Sequence, residues 1–450
     1  MDVLALSSLL GSYKQKHYHF LSVLISHSIS QLKEGKDEFF KPIDSLYLSK
    51  HYSSKYRLMI QQLQRDGIVR VDRRYSNYEG SSFPMSYALS EKYIEEIRDG
   101  NIEVVELDNK PLVKNTAKWR EGTLKLQQEK ALEEGEDSVP YKWIQREREM
   151  MLGFKYDVEG AREWMRQEMD KLVEDGFKKA YYHYQLTLFE SLSKATTPAE
   201  LPFSYVKGRV YSPLTSLKRG FREFVMDGQG SLLKEADLTS SHLKFLCKLI
   251  ATALRHDLMR WEDGEYRFSE GLLEGVKAAY RQDVNLFPSY RESQWSSDFQ
   301  YFIDTVFKGL IYEEYSEEFL GESYFVANAQ DGLMDKESRK QHKYKFIKEI
   351  LFDYYTQENK QERRFKNEFK ERFAQQAPTV FAFIRECARQ ARGYKRSSPL
   401  SLLLMDIEAH YVHGRLPELI AEKLGTDFPY YVIHDALYLP QEVDVDGLAF

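Results

Sequence analysis

Apolar and polar positions recur along this chain with two different periods, and the changes of period mark out its elements. Over residues 18–32 and 56–63 the apolar positions recur at helical spacing and fall on one face. A short helix over 43–49 lies between them, with Asp44 as its expected cap. Asp66-Gly67 stops the helical pattern, and Ile68-Val69-Arg70-Val71-Asp72 alternates as a strand. A loop rich in Gly, Ser and Asn then leads to a second strand, Met85-Ser86-Tyr87-Ala88-Leu89. Residues 101–138 are charged and weakly periodic, which reads as a solvated helical linker. Residues 139–193 are helical and rich in aromatics, closed by Ala195-Thr196-Thr197-Pro198.

Two later stretches stand out. Residues 231–237 form an apolar strand that reaches Asp237 and turns into a helix. Near the end, Tyr431-Val432-Ile433-His434-Asp435-Ala436-Leu437-Tyr438-Leu439 is an apolar run broken once, the pattern of a hairpin with His434-Asp435 at its tip. Between them the chain reads as helical to about 425, with a loop over 285–297. The expected class is α+β, mostly helical, with a small antiparallel sheet assembled from distant segments.

Composition sets the frame. The chain has 450 residues, 42% hydrophobic and 30% charged, which suits a soluble globular protein of two or three domains. Its net charge of −6 gives no global case for nucleic acid, so any such case rests on local patches. Two cysteines, Cys247 and Cys387, exclude a disulfide framework and a cysteine-rich zinc site and fit a reducing compartment. The N-terminus lacks a basic leader, and no apolar run reaches membrane-spanning length. A cytoplasmic location without membrane contact is expected.

Local patches do occur. Helix, turn, helix and two strands make residues 1–100 resemble a winged helix. From Lys50 to Arg74 the chain has seven Lys/Arg against two acids, with Lys55, Arg57 and Arg73 among the candidate phosphate contacts. The alternative is a winged fold used only for packing. Arg363 to Arg396 holds ten basic residues against three acids, either a solvated helix face or a template contact. Asp406-Ile407-Glu408 has a nuclease-like spacing but reads as ordinary helix, as do His410 and His413. Asp237 and Asp435, each at a strand end, are costly as lone charges and suit a pair of magnesium ions.

Between 208 and 246 the sequence resembles the family A polymerases. The residues are Gly208-Arg209-Val210-Tyr211-Ser212, then Phe221-Arg222-Glu223-Phe224, the turn Asp227-Gly228-Gln229-Gly230 and the strand to Asp237. His434-Asp435 is similar to the second catalytic element of that palm. Ser338-Arg339-Lys340-Gln341-His342-Lys343 is similar to the family's fingers helix. The resemblance implies a right hand of palm, fingers and thumb. Residues 139–200 would be thumb-like helices and 201–450 the palm, with fingers inserted at about 246–400. It implies that Asp237, Asp435 and the backbone carbonyl of Leu238 hold two Mg²⁺, with Mn²⁺ as a substitute. His434 would join the catalytic set at the hairpin tip. Arg339 with Lys343 or Lys345 would grip the incoming triphosphate, and Arg209 and Arg222 the primer terminus or template backbone. Template-primer DNA, nucleoside triphosphates and accessory replication proteins are the implied partners.

The match has departures. His242 stands where the DNA polymerases of this family carry the glutamate that excludes a 2′-hydroxyl, so it joins the nucleotide-binding candidates. Ala436 follows Asp435 where replicative members have Glu, and Phe352-Asp353-Tyr354-Tyr355 replaces the expected Tyr-Gly. DNA synthesis without proofreading is the first expectation, for plasmid or phage replication or defence. Phage-type or primase-like RNA synthesis and a non-catalytic nucleic-acid-binding replication protein are its rivals.

Overall fold

The first strand of the chain is paired by one that follows the entire N-terminal module. A computed structural model describes the protein except at residues 1, 38, 73–83, 134–138, 173–174, 207–208, 238–240, 283–294, 313, 316–338, 341–342, 345, 352–369, 391–398, 435 and 444–450. In it β1 (Asp2–Leu6) runs antiparallel to β5 (Ile102–Glu106), with Leu4 opposite Val104. Between them come α1 (Gln15–Lys33), β2 (Lys41–Pro42), α2 (Ser45–Tyr52), α3 (Tyr56–Arg65), β3 (Val69–Asp72), β4 (Ser86–Leu89) and α4 (Glu91–Arg98). The expected helix, turn, helix and two strands are all present. Asp44 caps α2 by accepting from the Leu46 N–H. β4 is the middle strand of the sheet β2-β4-β3, and Phe20, Leu48, Leu63, Tyr87 and Leu89 fill the core beneath it.

The stretch 101–138 differs from its reading as a linker. It supplies β5 and helix α5 (Lys110–Glu133), whose Leu112 and Thr116 are buried. Two glutamates in Ile-Glu-Val-Val-Glu give the strand a charged composition, yet its backbone pairs with the apolar β1 and Ile102 is buried.

A second core is built by α6 (Val139–Leu152), α7 (Val158–Asp170) and α8 (Gly176–Ser193), linked through β6 (Lys155–Tyr156). Asp157 and Asp175 cap α7 and α8 by accepting from the N–H groups of Gly160 and Lys178. Short elements follow: β7 (Ser204–Val206), β8 (Arg209–Tyr211), α9 (Pro213–Ser216), α10 (Arg219–Arg222) and β9 (Val225–Met226).

After β10 (Leu233–Asp237) a third core gathers α11 (Ser241–Arg255), α12 (Leu272–Gln282), α13 (Ser297–Phe307), α14 (Pro378–Gln390) and α15 (Pro399–Ala409). A π-helical segment, His410–Arg415, joins α15 to α16 (Leu416–Leu424). Within the stretch read as helical, β11 (Met259–Glu262) and β12 (Glu265–Phe268) form a hairpin. Its turn is Asp263-Gly264, both at positive φ, the residue pair that two-residue hairpin loops favour. The last described strands, β13 (Tyr431–Ile433) and β14 (Ala436–Pro440), form with β10 the sheet β10-β14-β13. Among the described residues no helix is long and apolar enough to cross a membrane.

β14 is buried along its whole length, because the sheet separates two cores. Ala436 and Tyr438 belong with Tyr431, Ile433 and Leu233 in the second core, while Leu437 and Leu439 belong with Val432 in the third. Leu439→Ala is expected to destabilise by about 2–5 kcal/mol, since the strand cannot shift to fill the void. The midpoint of urea unfolding measures this.

Burial, with His51 and Arg120 adding repulsion, pushes the His19 imidazole down to about 3. The unfolded chain therefore takes up the proton near pH 6.5, the ordinary value, before the folded one does. The His19 contribution to stability is complete above that pH and is lost as pH falls towards 3. His19→Asn should flatten this part of the pH dependence of the urea midpoint.

Candidate active site

The turn before β10 fixes where that strand starts. One oxygen of the buried Asp227 carboxylate accepts from the backbone N–H groups of Gln229, Gly230 and Ser231 at 2.8, 2.7 and 2.8 Å. Gly230 has φ +99°, which a side chain would resist. From there the register runs Leu233 opposite Pro440, Glu235 opposite Tyr438 and Asp237 opposite Ala436.

On the other edge Ile433 pairs with Ala436, so His434-Asp435 is a two-residue loop. His434 sits at φ +53°, the sign such loops require at this position. Asp237 is described in its backbone, and Asp435 and Leu238 lie outside the described residues. The register nonetheless sets the last residue of β10 beside the first residue of β14, next in sequence to Asp435.

A brace holds this sheet from one side. The Arg222 Nη1 donates to the Tyr438 hydroxyl at 3.0 Å, and its Nε and Nη2 donate to the Leu217 carbonyl at 3.1 and 2.9 Å. The Tyr438 hydroxyl donates in turn to Glu235, which also meets the Arg219 Nε at 3.2 Å. Burial and then Glu235 push the Tyr438 hydroxyl up to about 12. The ring of Tyr438 stacks on Tyr431 across the strands at 4.4 Å. Arg222, expected at the primer or template, commits these donors inside the fold.

A second cluster lies beside the hairpin tip. Glu408 on α15 is 2% exposed and accepts from the Ser241 hydroxyl at 3.0 Å. The His242 Nε2 lies 3.9 Å from the same carboxylate, and the Arg209 Nη2 is 3.4 Å from its other oxygen. Arg209 and Tyr211 share β8, and the Tyr211 ring meets His434 edge-on at 5.8 Å. Thus Arg209, His242 and His434 belong to one locality at the end of the β10-β14-β13 sheet. Glu408 is the residue that sequence reasoning passed over as a site. Its one signal is an acid beside Ile407, four residues after the apolar run Leu402-Leu403-Leu404. Asp406 turns elsewhere, to Lys277 at 3.2 Å and Arg281 at 3.7 Å, so the two acids of Asp406-Ile407-Glu408 serve different ion pairs.

The remaining candidates show no contact with this cluster among the described residues. The Arg339 Nη2 donates to the Gly309 carbonyl at 2.8 Å, and its guanidinium lies 5.3 Å over the Tyr312 ring. Lys343 is exposed, and Lys345 lies outside the described residues. Lys55 and Arg57 are exposed at the start of α3, and Arg73 lies outside the described residues. Arg70 pairs with Glu91 and covers the Phe40 ring. His413 is buried against Glu147 and stacks on Trp143, as a core histidine does.

Among the described residues no group of three or more His, Cys, Asp or Glu is arranged to hold a metal. The fit of a hard divalent ion rests on the register: it brings Asp237 alongside the strand that Asp435 precedes, and two carboxylates with a backbone carbonyl are an all-oxygen donor set.

The left-handed His434 is a local test of what that residue is for. His434→Gly should leave stability unchanged or raise it by up to about 1 kcal/mol, because glycine adopts this conformation without a steric penalty. Thermal unfolding of the variant against the parent checks it, and a loss beyond about 1 kcal/mol would mean that the imidazole itself holds the hairpin. Comparison with protein-family models, with curated proteins and with solved structures finds no match for this chain.

Proposed function

We propose that the chain is a template-directed nucleotidyltransferase of the family A polymerase kind, making DNA without proofreading. The observation that supports this most is the register that sets Asp237 opposite Ala436 at the mouth of the two-residue loop His434-Asp435. In this reading the β10-β14-β13 sheet is the palm, the helices of 139–200 are the thumb, and most of 246–400 is the fingers. The first module is a winged helix that approaches nucleic acid through the exposed Lys55 and Arg57 at the start of α3, with Arg73 as a further candidate.

Asp237, Asp435 and the Leu238 carbonyl would hold Mg²⁺ or Mn²⁺, which supplies positive charge for the attacking and leaving oxygens of the displacement. The chain's own residues do the rest. Arg339 with Lys343 or Lys345 would orient the triphosphate of the incoming nucleotide. Arg209, fixed in direction by Glu408, would hold the primer terminus, while His242 on the same carboxylate would face the sugar. A histidine there offers a hydrogen-bonding edge where the family's glutamate excludes a 2′-hydroxyl. That observation favours RNA synthesis as the second reading.

Primer extension on a labelled template with Mg²⁺, offering dNTPs and NTPs separately, tests the reading. Wild type is expected to extend with dNTPs, and Asp237→Asn and Asp435→Asn each to lose at least about 10³-fold in rate, as removal of a direct metal ligand does. Extension that survives either substitution would remove the two-carboxylate site. A wild type that binds duplex but never extends would leave a nucleic-acid-binding protein.

A further inference from the structure

A cavity of about 530 Å³ lies between the first module and the helices that follow, walled by α1, the first half of α5 and the end of α8. One wall is a row of hydroxyls. Ser22, Ser26 and Ser30 are four residues apart on α1 and so share a face. Other parts of the lining carry cations. Lys41 from β2 and Arg120 from α5 both line the cavity and both are partly buried.

Neither cation has an ion pair with a carboxylate among the described residues. The Arg120 Nη1 donates to the backbone carbonyl of Glu200 at 2.7 Å. Lys194 adds a third positive charge at the rim, shared with Glu106 at 3.7 Å. The one acid lining the space, Glu200, has its carboxylate engaged by the backbone N–H groups of Thr196 and Thr197 at 2.7 and 3.2 Å. Burial lowers the affinity of both Lys41 and Arg120 for their protons, and at Arg120 it outweighs the opposing pull of Tyr47 and Glu200.

Two partly desolvated cations lining one space with a single carboxylate, itself engaged by two backbone N–H groups, leave an excess of positive charge that an anion would offset. The row of hydroxyls in the same lining supplies donors for further anionic oxygens, and the volume is in the range of small-ligand sites. We propose that this cavity binds a phosphate-bearing small molecule of nucleotide size, its phosphates between Lys41 and Arg120. Because the walls come from α1, α5 and α8, the bound anion ties the first module to the helices after it. The proposal does not depend on the polymerase reading.

The test is calorimetric titration of the full chain in EDTA with ADP, pyrophosphate and adenosine as probes, beside Lys41→Met and Arg120→Gln. EDTA removes any metal-dependent nucleotide binding near the hairpin, so failure of one proposal is separable from failure of the other. ADP and pyrophosphate are expected to bind and to raise the unfolding temperature, and adenosine to do neither. Each variant should weaken binding at least ~10-fold, the scale of one charged hydrogen bond. Lys41→Met should keep or raise the ligand-free unfolding temperature, because it removes an uncompensated charge. Absence of binding by both phosphate probes, binding undiminished in both variants, or equal binding of adenosine would each overturn the proposal.

Discussion

The two-sided burial of β14 is the constraint on which the rest depends. It has a neighbour on each edge and a core on each face, so its residues alternate between two packings that differ in kind. Tyr438 must reach Arg222 and Glu235 on one side, while Leu437 and Leu439 enter an apolar cluster on the other. A slip of one residue would exchange these sets and bury a phenol among leucines. The register is therefore over-determined, and the position of Asp237 opposite Ala436 follows from packing on residues away from the tip. The left-handed His434 follows too, since two strands in this register leave two residues to close them.

The same economy governs the buried charges. Glu408 is surrounded by groups from β8 and α11, so a single carboxylate joins three distant parts of the chain. Arg148, 1% exposed, meets Glu121 at 3.0 Å and joins α6 to α5. Removing one member of such a set strands the other in low dielectric, which is more damaging than the pair is stabilising. These contacts fix orientation between elements more than they add stability.

Much of the fold is legible in the sequence where the signal is local. Period and punctuation mark α1, α3, β3, β4, the strand to Asp237 and the final hairpin. Asp44 announces its cap. Asp263-Gly264 carries a hairpin signal as clear as any in the chain, but the flanking Met-Arg-Trp-Glu and Glu-Tyr-Arg-Phe are too polar to read as strands. β5 is hidden for a related reason: its partner is β1, at the other end of the module, and two glutamates mask its apolar residues. Of the candidate site, the strand ends and the tip can be read from pattern, whereas Glu408 cannot. Its meeting with Arg209 and Ser241 depends on how α15 lies across β8 and α11, which no window of sequence contains. The wall of the cavity is likewise assembled from separate elements, each unremarkable alone.

Charge compensation separates the two sites physically. Around the sheet, Arg209 is matched by Glu408 and Arg219 by Glu235, while Arg222 spends its donors on a carbonyl and a phenol. Arg209 and Arg219 are each neutralised by a carboxylate, and Arg222, though its charge has no carboxylate, has its donors committed inside the fold; in the proposed site Asp237 and Asp435 would add two formal negative charges. In the proposed reaction an incoming triphosphate would meet net repulsion there unless positive charge arrived with it, which is the electrostatic reason such a site would be silent without a divalent cation. At the cavity the imbalance has the opposite sign. Lys41 and Arg120 are in place, and the missing partner is an anion. A single small molecule carrying both phosphate and divalent metal would be attracted to the tip by its metal and to the cavity by its phosphates, so chelation alone should redistribute it between the two.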